Sequence, residues 1–300
     1  AAKPVAKAVK STPAAKPAAK AVKATPVSEP AVQAVKATPA AKPVIPTNNN
    51  AAETLNKKKT NEVIITTSIG PGKVEVQQNA IKTWVDAGFR VVSLNSAEEI
   101  NTLKPYFPTI EFQEISRNAQ EKFGKPYIYI YDFMQYLSST DYKVCGIVNS
   151  DIHFLEIKDN FMDFIYKESI GSLVYGHRMD VDNLNNLNGR VSNGVDYFFF
   201  DRDLITIYED DGLCMGQPAW DWWMVCVAAA AHKPNKRVLN TVAYHIDHPQ
   251  TWMESLNLYL IESVVIDKYL RKLYPEALYY ELNLKMWDIV ISKDGITYQG

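Results

Sequence analysis

The sequence is short of cysteine. Cys145, Cys214 and Cys226 are the three in 300 residues, an odd number at spacings unlike those of a metal site or a disulfide framework. All three stand among apolar neighbours, as small buried groups do. So few thiols fit a reducing compartment, and the expected location is cytoplasmic. No run of about 18 apolar residues occurs, which argues against a membrane-spanning helix. Nor does an apolar stretch of signal-peptide length occur near the start. The chain begins at Ala1 rather than Met, as a piece of a longer protein would. Its first 60 residues lack aromatic residues and arginine altogether.

What those 60 residues do contain is lysine, alanine, proline, valine and threonine. Eleven lysines stand against Glu29 and Glu53, a net charge of +9, while the other 240 residues carry 21 basic and 32 acidic groups, a net of −11. VKSTPAAKP (9–17), VKATPVSEP (22–30) and VKATPAAKP (35–43) recur every thirteen residues. Such a composition cannot bury enough apolar surface to offset the entropy of ordering the chain, and regular prolines favour extended structure. Residues 1–60 therefore read as a disordered low-complexity linker, able to tether the body to other domains. The alternative is a lysine arm for nucleic acid or anionic lipid, but its charges are spread out rather than clustered. Residues 61–300 are long enough for one sizeable core.

Within that body, apolar runs alternate in period. EVIITTS (62–68), FRVVSLN (89–95), TIEFQEI (109–115) and KVCGIV (143–148) read as strands. VEVQQNAIKTWVDAG (74–88) and AEEINTLKPY (97–106) read as helices, the first stopped by Gly88. PYIYIYDFMQYLSST (126–140) fits a helix with Ile128, Tyr131, Phe133, Met134 and Leu137 on one face. Strands alternating with helices predict an α/β fold with a mixed, mainly parallel sheet flanked by helices. Ligands then gather beyond the carboxyl ends of the strands.

KVCGIVNSDIHF (143–154) ends a buried run in Asn149-Ser150-Asp151 at such an edge. A plain turn explains the pattern equally well. With its place in the element order, roughly 85 residues after the first strand, it resembles the GT-A class of nucleotide-sugar glycosyltransferases over about residues 62–256. Those enzymes carry an Asp-any-Asp motif at the end of the fourth core strand, where it holds a divalent cation bridging the donor diphosphate. Here Asn149 replaces the first Asp, and Asp151 is the residue that carries over. The resemblance implies Mn²⁺ or Mg²⁺ as cofactor. It also implies a late histidine ligand, for which TVAYHIDHPQTW (241–252) offers His248 and, second, His245. His153 is a weaker candidate.

The resemblance further implies a donor site at the strand ends, with Thr67, Ser68 and Asn95 near the base and ribose, Asn149 and Asp151 near the diphosphate, and Arg117 reaching for it. In inverting members, a carboxylate at a helix start deprotonates the acceptor hydroxyl. Gly216-Gln217-Pro218-Ala219-Trp220-Asp221 has that form, ahead of the apolar run WWMVCVAAAA. Asp221 is thus the candidate base, kept ionised by the helix dipole, with an ordinary first-turn Asp as the bland alternative. Asp196, Asp210 and Asp211 are the reserve candidates, and one of Trp220, Trp222 and Trp223 could face a sugar. Arg178, in GHRMDVDNL (176–184), fits a surface ion pair or a phosphate contact.

The function expected from the resemblance is metal-dependent transfer of a sugar from a nucleotide-sugar donor to a glycan, glycoconjugate or other hydroxyl acceptor. It is inverting if Asp221 is the base. The catalytic body would span residues 61–300 and include a C-terminal helical extension. A nucleotidyltransferase making an activated sugar is one alternative, although IGPGK (69–73) lacks a P-loop ending. A non-catalytic glycan- or nucleotide-binding module is the other.

Overall fold

A computed structural model describes residues 62–248, 254–292 and 294–300. The disordered linker expected over residues 1–60 lies outside the described residues. The strands are β1 (Val63–Thr67), β2 (Arg90–Asn95), β3 (Glu111–Glu114), β4 (Val144–Val148), β5 (His153–Phe154), β6 (Leu173–Val181), β7 (Arg190–Asp201), β8 (Asn235–Val238), β9 (Ala243–Ile246) and β10 (Gly295–Ile296). Helices α1 (Val74–Asp86), α2 (Ala97–Leu103), α3 (Gln120–Phe123), α4 (Ile130–Ser138), α5 (Phe161–Ser169) and α6 (Trp220–Ala230) intervene. Between β9 and β10 come α7 (Glu254–Leu260), a π-helix over Ile261–Leu270, α8 (Arg271–Leu273) and α9 (Tyr279–Val290).

The strands form one sheet in the order β10-β8-β6-β7-β4-β1-β2-β3, with β9 joined to β5 and β6. Pairs among β1, β2, β3 and β4 are parallel, as are β6 with β8 and β9; β7 runs antiparallel between β4 and β6. The expected mixed, mainly parallel sheet flanked by helices is what the chain forms. Every residue of β1 and β4 is buried, as strands covered on both faces must be.

Alternation along the strands splits the core in two. Ile64, Cys145, Ile147, Phe198 and Phe200 face one side, where α4, α6 and the π-helix pack. Val63, Ile65, Val144, Val148, Tyr197 and Phe199 face the other, against Ile81 and Trp84 of α1 and Phe161 and Ile165 of α5. Gly88, at φ 91°, stops α1 as its position implied. Ser96 and Glu99 form a capping box on α2.

The 126–140 helix is shorter than its pattern. It begins at Ile130, because Tyr129 bridges Cys214 and the Ile128 carbonyl accepts from Met215 N. Ile130, Phe133, Met134 and Leu137 then form the buried stripe.

β1, β2, β4, β6 and β9 all present their carboxyl ends at one edge of the sheet, where β7 begins. That shared edge is what assembles the site.

Candidate active site

Asp151 follows β4 across a short turn. His245 lies in β9 and His248 two residues beyond its end. Asp151 Oδ2 stands 3.4 Å from His245 Nε2 and 3.5 Å from His248 Nε2. One ligand atom from each residue lies within 4.8 Å of the others. The group could therefore hold a metal ion.

The surroundings fit that role. β6 and β9 pair with Asp180 opposite His245, so the two side chains lie together on one face. His245 Nδ1 is 3.0 Å from Asp180 Oδ1. A carboxylate behind a ring nitrogen is the usual way to orient a ligating histidine. Burial alone would raise the Asp151 carboxyl and lower His245. The attraction between them outweighs burial: His245 and His248 hold Asp151 far below the usual carboxylate range. Asp151 and Asp180 push His245 up to about 9.

Asp180 also receives Arg178 Nε at 2.7 Å, and Arg178 Nη1 donates to Asp196 Oδ2. Asn149 Nδ2 donates to Asp196 Oδ1 at 2.6 Å, and Asn149 N donates to the Asp196 carbonyl at 2.9 Å. A bulge makes this reach possible. In β7, Tyr197 faces Gly176 and Val195 faces His177, which leaves Asp196 as the extra residue between them. Bulges re-aim side chains in this way. Gly194 leaves room beside the ion pair, since a Cβ there would lie 3.3 Å from Arg178 Nη1 and 3.3 Å from Asp196 Oδ2.

Asp221, in the first turn of α6, accepts from Val195 N at 3.2 Å. Burial and then the neighbouring Asp196 charge push its carboxyl up to about 7; the Val195 and Trp222 amides and Arg178 oppose the rise without cancelling it. Desolvation and like charge thus oppose the helix dipole expected to keep it ionised. A carboxyl poised there suits proton transfer at neutral pH better than an ordinary one. Ala219 precedes the helix at φ 73°, a left-handed conformation that costs a non-glycine residue energy.

Other candidates fall elsewhere. Thr67 and Asn95 are fully buried. Asn95 Nδ2 donates to the Ile69 carbonyl at 2.9 Å and to Glu99 at 3.1 Å, and its Oδ1 accepts from Ser93 at 2.6 Å. Its carboxamide builds the turn after β1 instead of meeting a donor base. The Thr67 hydroxyl faces Met215 Sδ at 3.9 Å and is sealed in the same way. Ser68 stays half-buried at that edge.

Arg117 is committed to Asp132 at 3.1 Å and Asp210 at 2.7 Å and lies over the Tyr129 ring, so its charge is balanced within the protein rather than offered to a diphosphate. Arg178 is half-buried and forms its ion pairs with the buried Asp180 and Asp196. Asp211 accepts from Trp223 Nε1 at 2.8 Å and the Tyr269 hydroxyl at 2.5 Å. Trp220 and Trp223 are core, while Trp222 is half-buried and meets Trp287 edge-on at 4.5 Å. His153 faces Tyr244, one residue out of phase with His245, so it leaves the opposite face.

Asp180 is the residue that sequence reasoning missed. Its only signal is an acidic residue near the end of an apolar strand.

No protein-family model matches the sequence, and no curated protein matches it. Among solved structures, the chain is similar to S. aureus TarS, with a TM-score of 0.48 and 12% identity over 77% of this chain and 44% of that one. The chain thus spans less than half the length of TarS. Among the described residues no helix is long and apolar enough to cross a membrane.

Proposed function

We propose that the protein is a metal-dependent glycosyltransferase that moves a sugar from a nucleoside-diphosphate donor to a hydroxyl acceptor with inversion. The observation that carries this reading is Asp151 between His245 and His248 at the carboxyl edge of the sheet, linked through Asp180 and Arg178 to Asp196, whose charge acts on Asp221. Asp151, His245 and His248 would hold the cation; two imidazoles suit Mn²⁺ better than Mg²⁺, which favours oxygen donors. A dication held by these residues would supply positive charge to neutralise a departing nucleoside diphosphate. Asp221 accepts the proton of the attacking hydroxyl, and its position near neutral pH lets it alternate between both forms. Asp196, held by Asn149 and Arg178, raises the proton affinity of Asp221.

The nucleotidyltransferase alternative has less support. Gly70 N is already donated to Gln77 at 2.9 Å, and Gln77 Nε2 donates to the Gly70 carbonyl at 2.9 Å and the Gly72 carbonyl at 2.6 Å. The loop after β1 is tied to its own helix and is poorly placed to cradle a triphosphate. The binding-module alternative drew on Asn149 in place of Asp, but Asn149 has a structural task on Asp196.

The test is nucleotide release from a panel of UDP- and GDP-sugars, with Mn²⁺ and with EDTA. Mn²⁺-dependent release of UDP or GDP is expected, and it should vanish in Asp151→Asn. Release of pyrophosphate from UTP or GTP with sugar phosphate would point to the nucleotidyltransferase. No turnover of any donor, with intact nucleotide binding, would leave the binding module.

A further inference from the structure

Arg178 binds one carboxylate toward each end of the site, Asp180 and Asp196. Its side chain is 20% exposed, and those of Asp180 and Asp196 are 6% and 8% exposed. A guanidinium presents its donors in a fixed fork, so binding two carboxylates at once also fixes their separation. One of them stands behind His245, and the other lies beside Asp221 and accepts from Asn149. Arg178 stands where the pairing of β6 with β7 breaks, inside the second of its register shifts, between His177 and Met179.

Resting on the reading of Asp151, His245 and His248 as a metal site and of Asp221 as the base, we propose that Arg178 is a positioning residue that holds both in one charge-balanced frame. It fixes Asp180 against His245 and restrains Asp196 beside Asp221, so that ligand orientation and base strength are set by the same side chain.

Two properties of Arg178 separate under substitution. Its charge acts on Asp221 through space, and its fork acts on Asp180 by geometry. Arg178→Gln removes both, whereas Arg178→Lys keeps the charge and loses the fork. Asp196 from β7 and Arg178 from β6 act on Asp221, and Asp221 in turn acts on Cys226 of α6. Arg178 is the cation among these groups, so its loss acts in one direction.

The test uses the full chain, metal-free, with ¹³C-carboxyl NMR titration of Asp221, assigned by its absence in Asp221→Asn. Calorimetric titration with Mn²⁺ is run alongside. In Arg178→Gln the Asp221 midpoint is expected to rise, as loss of an opposite charge requires. Mn²⁺ affinity is expected to fall roughly 10- to 100-fold, the usual effect of freeing the partner of a ligating histidine. In Arg178→Lys the Asp221 midpoint should stay near that of the parent while Mn²⁺ affinity still falls.

An unmoved midpoint in a folded Arg178→Gln, or parent-like Mn²⁺ affinity in a folded Arg178→Lys, overturns the proposal. If Arg178→Gln does not fold, Arg178→Lys decides. The Asp221 titration needs neither metal nor turnover. A parent that binds no Mn²⁺ would therefore sink the metal reading and still leave Arg178 to be judged on Asp221.

Discussion

At the residue scale, Asp221, the proposed base, works against the fold that carries it. Its folded proton affinity lies above that of an unfolded aspartate, so the native state binds the proton more tightly. From about pH 4 to pH 7 stability contributed by this group falls as pH rises, and above that the full penalty stands. A general base needs the opposite state, so turnover should climb as pH rises through about 7 and then level. Asp221→Asn should cut the rate by about 10²–10⁴ with donor binding kept. It should also stabilise the protein by about 1–3 kcal/mol at pH 8, and by less at pH 5. A helix cap would give the reverse, a lower melting temperature and an unchanged rate, and that pair of results would remove Asp221 from the mechanism.

Asn149 makes a second residue-scale case. Restoring aspartate there would complete the Asp-any-Asp pattern on paper. In the structure it would set a carboxylate against Asp196 at the 2.6 Å now spanned by an amide hydrogen bond. Asn149→Asp should therefore lose about 1–3 kcal/mol of stability at pH 8 through like-charge contact, with recovery at acid pH. Mn²⁺ affinity should not improve. Tighter Mn²⁺ binding at no cost in urea denaturation would mean that Asn149 replaces a lost ligand.

At the element scale, the loop before α6 and the π-helix after α7 are fastened to each other. Asp211 collects Trp223, Tyr269 and Lys268, and its side chain is only 7% exposed. Removing the shared acceptor strands the Trp223 and Tyr269 donors, while Lys268 keeps Glu209 at 2.9 Å; the loss is about 2–4 kcal/mol. Asp211→Ala should show that loss in urea denaturation and leave Mn²⁺ affinity as in the parent. A stable variant with weakened metal binding would place Asp211 in the site instead. These elements were partly legible in the sequence. The all-apolar runs of β1 and β4 and the 3.6-residue stripe of α4 could be read because burial imposes a period. The start of α4 could not, since a distant partner, the Cys214 segment, claims Tyr129 and Ile128.

At the scale of the whole molecule, the site is a product of strand direction. Asp151, Asp180, Asp196 and His245 come from four strands or their ends and meet only because β7 slots antiparallel between β4 and β6. Asp151 and the two late histidines were legible because a carboxylate and imidazoles at the ends of apolar runs stand out. Asp180 and the internal role of Arg178 were not, because parallel register and a bulge lie beyond any local pattern. Thr67 and Asn95 misled for the converse reason: polar residues at a strand end can be sealed by the turn they support.

The most direct test of the central claim is a calorimetric titration of UDP into the full chain with Mn²⁺ and with EDTA, repeated on Asp151→Asn. The parent should bind UDP in a Mn²⁺-dependent manner, and Asp151→Asn should lose that dependence while keeping its fold. Equal Mn²⁺-dependent binding in both proteins would contradict a metal centre built on Asp151, His245 and His248.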